Sequence, residues 1–413
     1  LSGRKLVSVQ RDGWRIPMLD VLRAAAIAAV FVQHLGDRFR PFVIARANAA
    51  LPGAVAAWMG SALAHGHWGV DLFFVLSGFT LGLGFVREHD GQGPRRVGAF
   101  FARRAVRILP AFYVAVAVHL TAHAELLRLP SCWRALATHI AVLQGYLAPG
   151  KIVLIGASWS LTTEAHFYVL APLLAALMLG RRGLAGADSV RRAVLFAVIA
   201  CVVVWLGRAI LHDIALRPAA PAGLLELSQR RWVTGRLDQF AAGLAAALVH
   251  VRMGPRLDAS PWTGPGLCAV GVALLSLAAP LDTATWGRPG GGPAYPLVTS
   301  AMAILVFGAA SVQSGTATRL LGPVRWVGVV SYGVFLYHQL ALEVAARWLP
   351  WARDTQSWSG LAWTAGAGGL LACLAGWASF SLVEAPALAW LSRRLARGVA
   401  RPVLDPGVSR GKA

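Results

Sequence analysis

Charge is what this chain has least of, and negative charge above all. Only 14% of its 413 residues are charged, against about 25% in a typical soluble domain. A water-soluble globular protein is therefore excluded as the main reading. The 18 Asp and Glu face 39 Lys and Arg, a formal charge of +21. The basic residues form no single stripe and no patch interleaved with aromatics, so a nucleic-acid partner is not implied. There are four cysteines, Cys132, Cys201, Cys268 and Cys373, far apart and without a CxxC spacing. That excludes a zinc-ribbon site and a disulfide framework. Solenoid periodicity is absent. The first apolar run follows a basic segment and lacks a convincing cleavage site, so no cleavable signal peptide is expected. Gaps between apolar runs reach about 30 residues, too short to hold a soluble catalytic domain.

What remains is apolar sequence. Hydrophobic residues make up 57% of the chain, and several runs reach the roughly 18–20 residues that cross a bilayer. Spans are expected near 18–35, 68–86, 108–127, 158–180, 193–212, 236–252, 263–280, 294–311, 327–349 and 359–384. If the termini are cytoplasmic, 24 basic residues fall inside against 11 outside, as the positive-inside rule requires. The expected fold class is all-α: a polytopic membrane helix bundle of about ten transmembrane helices, both termini in the cytoplasm. Residues 1–17 read as a basic cytoplasmic segment, 18–392 as the transmembrane domain and 393–413 as a basic cytoplasmic tail. Stretches 49–64 and 135–149 are apolar enough for re-entrant or interfacial helices.

Any chemistry must then sit among the helices or on their short loops. Glu164 stands out, a carboxylate about two turns inside the run from Ser158 to Gly180. An ionised group at that depth costs about 2.5–3.5 kcal/mol on insertion scales, so it needs a partner or a purpose. His34 closes the first span, and the topology puts it near the depth of Glu164. A His–Glu pair would fix one imidazole tautomer and suit it to act as a general base toward a hydroxyl. The plainer reading of His34 is an interfacial residue bonded to a carbonyl or headgroup.

Asp20 and Arg23, three apart on one helix, read as a salt bridge. Asp71, at the start of the second span, divides evenly between orienting a neighbouring helix and contacting substrate. Ser77-Gly78 is no GxSG protease motif, because the position that needs glycine is Val75. Arg103, Arg104 and Arg107 crowd one turn at a helix start. Guanidinium forks match phosphate geometry, so a phosphate-bearing cytosolic co-substrate fits them, as does a topology signal that touches lipid phosphates. Arg236 and Asp238, and Tyr332, Tyr337 and His338, read as polar lining of the bundle. His119 and His123 have zinc-compatible i, i+4 spacing but no third ligand nearby, so no metal site is expected.

Six short segments, in order, resemble the acyltransferase-3 family of integral membrane O-acyltransferases. They are Leu19-Asp20-Val21-Leu22-Arg23 with His34; Gly69-Val70-Asp71 through Ser77-Gly78-Phe79; Arg103-Arg104-Ala105-Val106-Arg107; Trp159-Ser160-Leu161-Thr162-Thr163-Glu164 with Phe167-Tyr168; Ser331 to His338; and Ser381-Leu382-Val383-Glu384-Ala385-Pro386. Ala24 stands where the family has a glycine. The resemblance implies transfer of an acyl group, often acetyl, from acyl-CoA to a hydroxyl of a cell-surface or lipid-linked saccharide or of a small natural product. It makes His34 and Glu164 the essential polar pair. It assigns the arginines to the acyl donor and gives Tyr168, with Asp71, Tyr337 and His338, a supporting or substrate-binding part. It implies no permanently bound cofactor, acyl-CoA as co-substrate, and a place in the inner membrane of a bacterium. The hydrolase-like domain that some members add is not expected here, so the acyl group would pass directly or through the bundle. A transporter or flippase would also bury charges, but the chain lacks evident two-half symmetry. A passive scaffold gives no reason to bury Glu164.

Overall fold

A computed structural model describes residues 16–91, 97–147, 153–180, 187–215, 217, 232–257, 260–285, 294–313, 315 and 319–399. The basic segments at 1–15 and 400–413, and with them Arg95, Arg96, Arg181 and Arg182, lie outside the described residues. Among those described, the regular structure is helical throughout, with no strand. The helices are α1 (Pro17–Ala50), α2 (Gly53–Ala64), α3 (Trp68–His89), α4 (Val97–Ala122), α5 (Pro130–Ile140), α6 (Trp159–Leu179), α7 (Ala187–Ala215), α8 (Leu237–Leu257), α9 (Thr263–Thr285), α10 (Ala294–Ala310), α11 (Gly322–Trp348), α12 (Trp358–Ser379) and α13 (Ala385–Val399).

Each expected span coincides with a helix. Eight of the described helices are long and apolar enough to cross a membrane. Of the other two, α10 has 17 residues and α8 carries Asp238, Gln239, His250 and Arg252. Helix α8 tolerates those groups because it sits at the centre of the bundle. Its residues Phe240 to Leu248 are buried by α3, α7 and α10, so its neighbours rather than lipid are its solvent. Of the apolar stretches, 49–64 holds the short helix α2 and the described part of 135–149 gives its first six residues to the short helix α5, neither of them span length.

Two elements run further than the sequence suggests. Asp37, Arg38 and Arg40 look like the end of the first span, yet α1 continues to Ala50. Past Leu35 it presents Phe39, Phe42 and Val43 to Leu361 as a small apolar cluster while Asp37 and Arg38 stay exposed. That amphipathic extension keeps the helix intact until Pro52. Helix α12 passes through a π-helical turn at Phe380–Glu384 directly into α13. This last helix is amphipathic, with buried Leu391 opposite exposed Arg393, Arg394 and Arg397.

Close helix crossings seat the polar groups. Glycines at a crossing let backbones approach where no side chain fits. A Cβ on Gly78 would lie 2.2 Å from the carbonyl oxygen of Phe240, and one on Gly243 would lie 2.2 Å from that of Val75. These two glycines lock α3 onto α8 and turn the adjacent Ser77 away from that crossing. Phe240 also stacks on Phe167 at 3.8 Å between ring centres and meets Phe74 at 4.8 Å, which ties α6 into the same core.

Candidate active site

The seam between α1, α3, α4, α6 and α11 encloses a chamber of 260 Å³. Its polar lining comes from Asp20, Arg23, Ser77, Thr80, Arg104, Arg107, Ser160, Glu164, Tyr168 and Tyr332. Phe73, Phe74, Leu161, Phe335 and Phe380 supply much of the apolar wall. Three arginines face two carboxylates there, so the chamber favours an anionic guest.

Arg104 and Arg107 reach the chamber together because positions three apart share a helix face. Arg103 is one residue, about 100° of helix rotation, away from Arg104, and is exposed outside the lining. The Arg104 guanidinium lies 5.7 Å from the centre of the Tyr168 ring, a cation–π distance. Its Nε is buried and has no hydrogen-bond partner among the described residues. Arg23 donates to Asp20 at 2.9 Å, the i, i+3 pair read from the sequence.

Glu164 has specific partners here. Its Oε1 accepts one hydrogen bond from Ser77 Oγ at 2.7 Å and another from the Tyr168 hydroxyl at 2.5 Å. Two donors on one oxygen offset part of the cost of holding a carboxylate in the bundle. Tyr168 thus links the carboxylate to Arg104. The Tyr332 hydroxyl closes the chamber wall by donating to the Ile108 carbonyl at 3.0 Å.

His34 lies elsewhere, and the expected pairing with Glu164 does not occur: among the described residues no hydrogen bond joins them. Along α1, His34 sits fourteen residues beyond the chamber residue Asp20, about 21 Å at 1.5 Å per residue. The first helix does not end at His34 but runs on to Ala50. The carboxylate beside the imidazole is Asp37, whose Oδ2 is 3.2 Å from Nδ1. Gln339 Nε2 is 3.3 Å from the imidazole Nε2. The His338 ring lies 5.1 Å away, centre to centre. His338 is fully buried, with Nδ1 donating to the Phe335 carbonyl at 2.7 Å and no hydrogen-bond partner for Nε2 among the described residues. Phe335 joins the two regions, since it lines the chamber and its ring is 5.9 Å from that of His338.

Two remaining candidates stand apart from both regions. Asp71 forms a buried ion pair with Arg236, which also reaches the Tyr295 hydroxyl at 3.3 Å. Gln239 donates to that hydroxyl at 2.9 Å, and Thr299 donates to Asp238 at 2.7 Å. This network ties α3, α8 and α10 together, the helix-orienting alternative read for Asp71. Tyr337 stacks on His119 at 6.2 Å between centres and lines an apolar groove with Val114, Leu340 and Leu371.

Sequence reasoning missed Ser77 as a partner of Glu164, and also Asp37 and Gln339 beside His34. Asp37 carried a readable signal, its i, i+3 spacing from His34. Ser77 is 87 residues from Glu164 and Gln339 is 305 from His34, so only the fold joins them.

The sequence profile of the Acyltransferase domain family matches residues 16–382, from the start of α1 to the π-helical turn. The chain belongs to the acyltransferase-3 family. Among its relatives, "Putative membrane-bound transacylase BcsY" of Komagataeibacter xylinus is 24% identical over 344 residues, covering 79% of this chain and 73% of that protein. "O-acetyltransferase OatA" of Staphylococcus aureus is 26% identical over 182 residues, covering 40% of this chain and 26% of that protein. "Putative O-acetyltransferase SACOL0978", also of Staphylococcus aureus, is 27% identical over 180 residues, covering 40% and 25%. The chain thus matches about a quarter of the length of these staphylococcal relatives. No solved structure matches the chain. Multi-pass membrane architecture in this acyltransferase-3 chain agrees with its eight long apolar helices.

Proposed function

We propose that this protein is a membrane-embedded O-acyltransferase that moves an acyl group, acetyl in the simplest case, from acyl-CoA to a hydroxyl of a cell-surface or lipid-linked saccharide. The observation that carries the reading is the enclosed chamber in which Arg104 and Arg107 stand beside the Glu164–Tyr168 pair. Guanidinium pairs suit the phosphates of a CoA donor. An extended pantetheine arm anchored there would run up the seam past Phe335 toward His34.

In this reading His34 is the general base. The acceptor hydroxyl gives its proton to the imidazole as its oxygen attacks the thioester carbonyl. The C–O bond forms, the C–S bond breaks, and the departing thiolate takes the proton back from the imidazole. Glu164 serves the donor end: it holds Tyr168 beneath Arg104 and supplies counter-charge to the arginines while no phosphate is bound. The charge-derived orientation supports a cytoplasmic donor entrance and an outward-facing acceptor end, and the family resemblance suggests the inner membrane of a bacterium.

The test is thiol release from acetyl-CoA by the purified protein with saccharide and small-molecule hydroxyl acceptors, comparing wild type with His34→Ala and the double variant Arg104→Ala, Arg107→Ala. Acyl transfer that depends on both sites supports the reading. Substrate movement across vesicles without CoA consumption would instead make the protein a transporter.

A further inference from the structure

A carboxylate fixes the protonation pattern around His34, and the orientation of one amide agrees with it. Gln339 Oε1 accepts a hydrogen bond from the backbone N–H of Ala157 at 3.0 Å. A backbone N–H only donates, so the amide oxygen must face Ala157 and the NH2 group must face His34. That NH2 lies 3.3 Å from imidazole Nε2 and 3.4 Å from Nδ1, so it donates to whichever ring nitrogen carries the lone pair. On the opposite side, Nδ1 meets Asp37 Oδ2 at 3.2 Å. An ionised carboxylate only accepts, so Nδ1 carries the proton. Asp37 is itself held in place, because Gln33 Nε2 donates to its Oδ1 at 3.1 Å and Arg40 stands 3.7 Å from the same oxygen. The two constraints on the ring agree. Ala157 N–H, the Gln339 amide, the His34 ring and the Asp37 carboxylate form one directional chain from the turn before α6 through α11 to α1.

We propose that Asp37 and Gln339 are positioning residues for acyl transfer, Asp37 by holding the Nδ1–H tautomer and Gln339 by occupying the place at Nε2 that the acceptor hydroxyl takes. This rests on the acyltransferase reading with His34 as base. The acceptor O–H displaces the Gln339 NH2 from Nε2, gives that nitrogen its proton and forms the C–O bond to the acyl carbon. The C–S bond breaks, and the proton then passes from Nε2 to the thiolate. Asp37 neither gains nor loses a proton; its charge balances the transient imidazolium. The displaced amide remains beside the acceptor and can donate to a second oxygen, which suits a polyhydroxylated guest.

The test uses the full chain in lipid nanodiscs, acetyl-CoA as donor and a panel of methyl glycosides as hydroxyl acceptors, with free thiol as readout. An orienting carboxylate in a buried triad is worth up to about 10⁴-fold. Asp37 is half exposed, so Asp37→Asn should lower kcat about 10–100-fold and leave both KM values unchanged. Asp37→Glu should restore most of the loss. In a His34→Ala background, Asp37→Asn should change nothing further, which a general structural defect would not produce. Gln339→Leu, similar in size, should raise the KM for the glycoside and leave that for acetyl-CoA alone. Wild-type rates in Asp37→Asn alongside an inactive His34→Ala would overturn this proposal and leave the acyltransferase reading standing. So would an equal loss from Asp37→Asn with and without His34. A wild-type protein that releases no thiol with any glycoside would overturn both.

Discussion

The chamber and the histidine cluster draw on two of the same helices, α1 and α11, yet differ in chemistry. The chamber is enclosed and rich in fixed charge: arginines, a carboxylate with two hydroxyl donors on one oxygen, and an aromatic ring under a guanidinium. The cluster holds two imidazoles and an amide, with a carboxylate more than half exposed. One region suits the holding of an anion and the other suits the passing of a proton. A membrane bundle can keep such tasks apart along its axis because each helix rises about 1.5 Å per residue and points side chains into the same seam every three or four positions. Phe335, which touches both regions, marks the boundary.

The comparison breaks first on His34. His34→Ala should lower kcat about 10²–10⁴-fold, the range of general-base catalysis, with the acyl-CoA KM unchanged in steady-state kinetics. A rise in that KM alone would move His34 into the donor site. Next in size, Arg104→Ala and Arg107→Ala should each raise the acyl-CoA KM about 10–100-fold, as loss of a charge-assisted hydrogen bond worth about 1.5–3 kcal/mol implies. Arg103→Ala, on the exposed face, should stay within about 0.5 kcal/mol of wild type.

Ser77→Ala removes one neutral donor from Glu164 and should cost about 1 kcal/mol, read as a severalfold rise in the same KM. The smallest effect is the sharpest. In a double-mutant cycle, His34→Ala and Glu164→Gln should add to within about 0.3–0.5 kcal/mol, as distant sites do. A coupling of about 0.5–3 kcal/mol would restore the direct pair and remove the division between the regions.

Much of this could be read from the chain. The helices were legible because apolar runs of membrane length are their own signal, eight of them among the described residues long and apolar enough to cross a membrane. Glu164 was legible because a carboxylate in such a run demands an explanation. The Asp20–Arg23 pair was legible because its partners lie one turn apart. The join between Arg104 and Tyr168 was not. Neither was the choice of Arg104 and Arg107 over Arg103, which depends on which face of α4 turns toward α6. Helix α1 misled at Asp37-Arg38-Phe39-Arg40, where charges that usually mark a span end belong to an amphipathic extension whose apolar side is covered by Leu361.

By itself the sequence determined an all-helical membrane bundle, the family, and the short inventory of polar residues that could do chemistry there. Hydrophobic runs and local spacing suffice for that, because a helix in lipid satisfies its own backbone and needs no distant partner to form. Only the tertiary structure decided the pairings between helices: Glu164 with Ser77 in the chamber, His34 with Gln339 above it. Those depend on the axial offset and rotation of each helix against its neighbours. Glycine crossings such as Gly78 on Phe240 and Gly243 on Val75 set them, through backbone contacts between segments more than 160 residues apart.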